Sequence, residues 1–192
     1  MSIHFENTFS VPVDADRAWN ALVDIPLVAS CVPGASIDGQ DSSGAFLGKV
    51  GLRLGPVAVE YRGRLEVVDR NDASRVLSVR AEGEDARGQG SANARFTLEV
   101  QRDGTATTAR VVTDVDVTGR AAQFGRGIME QVARRVVGQF SSNLSKELAR
   151  EDTVATTSAP ARPARTDQLV PIGVAVVVGV IWLVLRRRLA RT

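Results

Sequence analysis

Three glycines stand directly before a long apolar pattern, an arrangement with which a protein could hold a phosphate. Gly119, Gly125 and Gly127 fall within nine residues. Glycines let backbone amides converge on phosphate oxygens, and a Lys followed by Ser or Thr normally completes such a loop. Gly127 is followed by Ile128 and Met129 instead. A dinucleotide site would also need a further strand after the helix, and a linker follows here. The sequence therefore argues against a nucleotide site.

The residues that could perform acid–base or nucleophilic chemistry are few. His4 is the only histidine, so a Ser-His-Asp triad or a Cys-His pair would need His4 as its base. Asp114 and Asp116 share one strand face and could be paired acids or metal ligands, although alternate acids on a solvated face are ordinary, and we favour that interpretation. Cys31, between apolar neighbours before a Pro-Gly turn, is interpreted as a small core residue. We therefore expect neither catalytic residues nor a bound metal.

Composition narrows the class of protein further. The chain has 192 residues, with 24 Lys and Arg against 22 Asp and Glu, and six of these Arg but only three acids follow Arg150. Residues 1–150 are therefore almost neutral, without the basic stripe of a nucleic-acid-binding domain. A single cysteine excludes an intrachain disulfide, and the start "MSIHFENTFSV" lacks the features of a secretory signal. These last two observations predict a cytoplasmic domain, and the charge balance predicts no nucleic-acid partner.

Local patterns predict an α+β domain. A strand-like segment ends near Val11, Asp14 or Asp16 caps a helix, and Pro26 begins a second short helix. From Phe46 onward apolar residues alternate with polar ones, as in an antiparallel sheet with one wet face. The last segment repeats apolar residues at helical spacing: Phe124, Ile128, Val132, Val136, Phe140, Leu144 and Leu148. We expect a curved sheet of about six strands around one long C-terminal helix.

Small residues on the inward face predict space between the sheet and the helix. Such residues do not fill the volume that Leu or Phe would occupy. A packed core of small residues is the alternative to a cavity. The residues concerned are Gly48, Gly63, Ala92 and Ala94.

The C-terminal region predicts a membrane anchor. Residues 151–168 are rich in Thr, Ala and Pro and are interpreted as a flexible linker. The uncharged stretch from Leu169 to Leu185 would reach about 25 Å as a helix, the short end of what spans a bilayer. Trp182, and Arg186 at the start of the basic tail 186–192, suit an interface. The expected location of the domain is the cytoplasmic face of the cell membrane. The alternative to a membrane anchor is an extra buried helix. A segment that enters the membrane without crossing it is a second possible topology.

Several segments resemble a known family. They are "DIPLVASCVPGA", "GKVGLRLGPVAVEYRGRLEVVDR", "DARGQGSANARFTLEV" and "TDVDVTGRAAQFGRGIMEQVARRVVGQFSSNL". Over roughly residues 3–148, the chain is similar to the carbon monoxide dehydrogenase CoxG family of the START-like (SRPBCC) helix-grip superfamily. The resemblance implies a helix-grip domain with an apolar cavity in residues 1–150. It also implies a molybdenum carbon monoxide dehydrogenase as partner, association with the cytoplasmic membrane, and a respiratory quinone, such as menaquinone, as transported ligand and electron acceptor.

Within such a fold the sequence predicts a site and a gate. The glycines Gly119, Gly125 and Gly127 would lie beside the cavity mouth and give the start of the long helix freedom to move, or else form a rigid turn. The predicted cavity lining is apolar apart from one hydroxyl: Val59, Tyr61, Phe96, Val115, Phe124, Ile128, Met129 and Val132.

Three functions fit these expectations. The first is a membrane-anchored carrier that presents a quinone or another apolar lipid to the dehydrogenase. The second is a recruitment or assembly factor that docks the dehydrogenase at the membrane without a ligand. The third is an enzyme of the helix-grip class, which the shortage of acid–base residues disfavours.

Overall fold

A curved antiparallel sheet and a long C-terminal helix make up the domain. The computed structural model describes residues 1–103 and 106–157, and within them the strands follow the order β1-β7-β6-β5-β4-β3-β2 across one sheet. The elements are β1 (Ser2–Val11), α1 (Ala15–Val23), α2 (Ile25–Cys31), β2 (Ala35–Gln40), β3 (Phe46–Leu54), β4 (Val57–Asn71), β5 (Val76–Asp85), β6 (Ser91–Asp103), β7 (Ala106–Val117), a 3₁₀ helix (Gly119–Phe124) and α3 (Gly125–Thr157). The predicted α+β architecture is confirmed, with seven strands in the described residues.

Two short helices follow β1, each started by an aspartate. The Asp14 side chain accepts hydrogen bonds from the backbone N–H groups of Asp16 and Arg17, so Asp14 is the cap that the sequence left undecided. These bonds lower the pKa of Asp14 because they stabilise its carboxylate. Asp24 caps α2, which contains Pro26 in its first turn, where a missing N–H is tolerated.

The convex face of the sheet is polar and carries cross-strand ion pairs. Arg64 on β4 contacts Glu82 on β5 at 3.0 Å, and Arg110 on β7 contacts Glu6 on β1 at 2.7 Å. These side chains are largely solvent-exposed, so each pair contributes little to stability. The alternation predicted from the sequence is thus present, with charged residues outward and apolar residues on the concave face.

A large cluster, called here the main core, joins one end of the sheet to the three helices. From α3 it includes Phe140, Leu144 and Leu148, of which the last two are 1% exposed. The ring of Phe140 meets Phe9 edge to face, with 5.5 Å between the ring centroids. The side chain of Trp19 is buried there and donates its indole N–H to Asp72 at 2.8 Å. The C-terminal half of α3 is therefore held firmly against the sheet.

A row of small residues crosses the middle of the sheet. Gly48 on β3 lies opposite Gly63 on β4, which lies opposite Gly83 on β5, and Ala92 on β6 follows. A Cβ atom at Gly63 would come within 1.8 Å of the carbonyl oxygen of Glu82, so only glycine fits this close approach of the strands. The row leaves β3, β4, β5 and β6 without large side chains at this level of the concave face, as the sequence predicted for Gly48, Gly63 and Ala92.

Replacing Leu144 by Ala tests the grip of the helix on the main core. We expect the free energy of unfolding to fall by about 2–5 kcal/mol, because a fully buried leucine leaves a cavity. The measurement is urea denaturation of the full-length chain, followed by circular dichroism. The control is Leu47→Ala on the convex face, where the side chain is 40% exposed and the same truncation should cost less than about 1 kcal/mol. Equal losses for both variants would contradict this account of the packing.

Candidate functional site

A second apolar cluster lies at the other end of the concave face. We call it the strand-end cluster. Its buried members come from the end of β3, the start of β4, the end of β7 and the 3₁₀ helix: Leu54, Val59, Tyr61, Val117 and Ala121. Three residues near the start of α3 pack against them, namely Phe124, Met129 and Val132. The helix therefore contacts apolar residues at both ends of the concave face.

Several inward-facing residues between the two clusters are only half-buried. Ala81 and Ala94 lie opposite each other on β5 and β6, and Thr113 on β7 lies opposite Phe96. All four retain partial exposure although they face the inside of the fold. Because side chains packed tightly under a helix are normally fully buried, these residues are packed less tightly than the buried members of the two clusters.

The structure brings most of the predicted lining residues together. Phe96 packs against the main core instead of the strand-end cluster. Ile128 is 36% exposed and belongs to neither cluster. The remaining six belong to the strand-end cluster or pack against it: Val59, Tyr61, Val115, Phe124, Met129 and Val132.

Three buried members of this cluster were missed as lining residues. Leu54 and Val117 end their strands, and both continue the inward alternation, a signal that could have identified them. Ala121 lies in the 3₁₀ helix, where the short sequence gives no period to follow.

An open pocket of about 400 Å³ borders the strand-end cluster. It lies where the β3–β4 hairpin extends past the end of β5, and Leu52 and Val59 form its apolar part. Polar side chains also contribute, including Arg53, Asp85 and Arg87. α3 contributes no lining residue, so this pocket opens beside the strand-end cluster rather than beneath the helix.

Tyr61 is the polar member of the strand-end cluster. The residue is 8% exposed, and its backbone lies opposite Asp85 on β5. Burial raises the pKa of the Tyr61 phenol, and the neighbouring Asp85 carboxylate raises it further. The phenol therefore stays protonated at neutral pH.

The predicted gate glycines differ in their surroundings. Gly119 has a φ of 69°, and a Cβ atom there would lie 1.7 Å from the carbonyl oxygen of Gln89. The next residue, Arg120, donates its backbone N–H to the same oxygen, so this contact fixes the junction after β7. Gly125 has a φ of 73° between the 3₁₀ helix and α3, and Gly127 lies in the first turn of α3. Neither has an atom within 4 Å of an added Cβ.

The residues considered for catalysis lie away from this site. His4 and Asp114 are exposed partners on the convex face, 2.7 Å apart, and Asp116 accepts a hydrogen bond from Ser2. Cys31 is buried in the main core, and burial raises the pKa of its thiol. In residues 1–103 and 106–157, no group of three or more His, Cys, Asp and Glu side chains is arranged to hold a metal ion.

The predicted anchor residues Leu169, Trp182, Leu185 and Arg186 lie outside the described residues. Among the helices that the structure does describe, none is both long and apolar enough to cross a membrane.

The architecture is shared with solved structures of START-like proteins. A conserved protein from Geobacillus kaustophilus has a TM-score of 0.68 at 19% identity, covering 77% of this chain and 96% of that chain. A Zhui aromatase/cyclase from Streptomyces sp. R1128 has 0.59 at 16% identity, covering 81% and 98%. A START superfamily protein from Mycobacterium smegmatis has 0.51 at 12%, covering 77% and 97%. At these identities the likeness shows the fold alone, which is that of a START-like helix-grip protein.

A family model assigns the chain more specifically than the fold class does. The family model for CoxG, a subunit of carbon monoxide dehydrogenase, matches residues 8–149. The chain belongs to the CoxG family, which confirms the resemblance seen in its sequence. No curated protein matches the sequence.

Replacing the glycines by Ala distinguishes a fixed turn from a free one. We expect Gly119→Ala to lower the free energy of unfolding by at least about 2 kcal/mol, because it combines a positive φ with a backbone clash. Gly127→Ala should leave stability unchanged or raise it by about 0.5–1 kcal/mol, because the position is helical and open. Urea denaturation of both full-length variants makes the comparison. A tolerated Gly119→Ala would contradict the fixed junction.

Proposed function

We propose that the protein is a membrane-anchored carrier. It binds a respiratory quinone of the menaquinone type, or a similar apolar lipid, on the concave face beneath α3. It then delivers the quinone as electron acceptor to a molybdenum carbon monoxide dehydrogenase. Membership of the CoxG family supports the dehydrogenase as partner, and the apolar concave face supports the class of ligand.

One observation carries this proposal. The apolar face of the sheet has a buried cluster at each of its two ends and several half-buried residues between them, beneath a helix that contacts both clusters. Apolar surface left in contact with water is unfavourable by about 25 cal/mol per Å². An apolar ligand seated there would remove that surface from water. The arrangement therefore suits an elongated apolar molecule better than a small polar one.

The energetics of extraction agree with a carrier. Moving a prenyl tail from a bilayer into water costs about 0.8 kcal/mol for each methylene group. Moving the same tail into an apolar protein interior replaces one apolar environment by another, so the net change is small. The protein would thus remove the barrier that keeps a long-tailed quinone in the membrane.

The start of α3 is the place where such a ligand would enter. Gly125 and Gly127 have open space around them, and Phe124 and Met129 lie beside them at the strand-end cluster. Glycine weakens a helix by about 0.5–1 kcal/mol relative to alanine. The first turn of α3 can therefore open while its C-terminal half stays held in the main core.

The membrane anchor belongs to the same proposal. The uncharged stretch 169–185 and the arginines that follow it support a single C-terminal anchor at the cytoplasmic face of the cell membrane. The predicted linker begins at residue 151, but α3 extends through Thr157. Residues 158–168 would then tether the domain close to the lipid from which it draws its ligand.

Ligand-free recruitment is the second candidate function. The family description names a component of the dehydrogenase, which favours binding to that enzyme whether or not a lipid is carried. The two functions are separated by native mass spectrometry and solvent extraction of the full-length chain isolated from its own membranes. A bound quinone supports the carrier. A chain that stays empty after incubation with quinone-loaded vesicles, yet still brings the dehydrogenase to membranes, supports recruitment.

Filling the space beneath the helix should block uptake. We expect Val132→Trp to reduce quinone bound from menaquinone-containing vesicles by about tenfold or more, equivalent to about 1.4 kcal/mol, because the indole would occupy volume that the ligand needs. Ile128→Trp is the matched control, one helical turn earlier, at a position that is 36% exposed and outside both clusters. It should bind nearly as much quinone as the parent chain.

The comparison is valid only if both tryptophan variants unfold at the same thermal midpoint as the parent chain. Equal quinone binding by Val132→Trp and the parent chain would exclude Val132 as part of the wall.

A further inference from the structure

The hydroxyl group of Tyr61 has no hydrogen-bond partner in the described part of the chain. The other buried members of the strand-end cluster are Leu54, Val59, Val117 and Ala121, which offer no polar side-chain atom. A hydroxyl in such apolar surroundings that has no protein partner forms its hydrogen bond with water or with a bound ligand. Such a group in a native structure therefore calls for an explanation.

The Tyr61 hydroxyl is also not sealed from its surroundings. Among the described residues, one side-chain polar atom is both fully enclosed and without a hydrogen-bond partner, and it is Ser36 Oγ. The Tyr61 oxygen is therefore not fully enclosed. It therefore reaches accessible space although the residue as a whole is 8% exposed. Two neighbours of Tyr61, Val59 on the same strand face and Asp85 on β5, line the open pocket.

The state of the phenol defines what it can bind. Burial and the Asp85 carboxylate raise the pKa of the phenol and keep it protonated, so it offers one O–H donor at neutral pH. Its matching group is an acceptor oxygen, such as a ring carbonyl. An apolar molecule without oxygen would leave the hydroxyl unpaired.

We propose that Tyr61 donates a hydrogen bond to a carbonyl oxygen of the bound lipid and so fixes its orientation. The oxygen-bearing head lies at the strand-end cluster, next to the open pocket, and the tail runs beneath α3 towards the main core. This inference rests on the carrier function and adds the residue that selects and orients the ligand.

The orientation follows from the polarity of the concave face. At the strand-end cluster a polar head meets the phenol and a pocket with charged side chains at its rim, Arg53 and Arg87 among them. Towards the main core it would meet Phe96 and Leu98, whose side chains offer no hydrogen bond. The head at the strand end is also the part nearest to the outside, where a partner enzyme could accept electrons from it.

The test compares Tyr61→Phe with the parent full-length chain, using two probes. One probe is a naphthoquinone with a methyl group and one isoprenoid unit, and the other is the naphthalene with the same substituents and no carbonyl oxygen. We expect Tyr61→Phe to weaken naphthoquinone binding by about fivefold, as for one lost hydrogen bond, and to leave naphthalene binding unchanged. The thermal midpoint of the ligand-free variant should be equal to or higher than that of the parent, because the lost hydroxyl had no partner.

A spectroscopic measurement on the unaltered chain complements the variant. Tyr61 is the only tyrosine, so carbon-13 at the ζ position of tyrosine gives a single resonance. This resonance should shift when the naphthoquinone binds and shift much less with the naphthalene.

The outcomes separate this inference from the carrier function. If the parent chain binds the quinone and Tyr61→Phe binds it equally well, the role of Tyr61 is overturned and the carrier remains. If the parent chain binds neither probe, the carrier function fails and the role of Tyr61 fails with it. A variant that unfolds at a lower temperature without ligand would show that the hydroxyl has a structural partner, which also overturns the inference.

Discussion

The structure depends on a single helix that must cover the concave face of a seven-stranded sheet. α3 is anchored by Phe140, Leu144 and Leu148 in the main core, and near its start it meets the separate strand-end cluster. One helix cannot fill the whole width of a curved sheet with side chains. The face between the two clusters is therefore left half-exposed, and this region is the reason to regard the domain as a binder of apolar molecules.

Close backbone contacts fix the framework of the sheet beneath the helix. The glycine row through β3, β4 and β5 brings strands so near one another that a Cβ atom at Gly63 would overlap the Glu82 carbonyl. At the end of β7, Gly119 lies against Gln89 in the same way. Both contacts are between backbone atoms that are held by neighbouring hydrogen bonds. A larger residue at either glycine would have to disturb this framework.

Much of this could be predicted from the sequence, because alternation and helical spacing report which face of an element is apolar. They correctly indicated the strands from Phe46 onward and the apolar stripe of α3. These patterns do not report which residues pack against that face. Ile128 therefore fits the apolar stripe of α3 in the sequence, although its side chain is 36% exposed in the structure. β2 was missed because "ASIDGQ" contains only one large apolar residue, Ile37, and is held by pairing with β3. The contact of Gly119 with Gln89 joins residues far apart in sequence, which no local pattern contains.

Ligand binding and folding are coupled in such a domain. The half-exposed apolar face makes the empty form less stable than a filled one would be, and a carbonyl oxygen of a ligand would give the Tyr61 hydroxyl a partner. A ligand that satisfies both stabilises the folded state by RT ln(1 + [L]/Kd). Neither interaction is covalent, so a ligand can leave when a better environment is offered. A site that is neither tightly packed nor fully polar therefore fits the proposed carrier, which would accept a lipid at one surface and give it up at another.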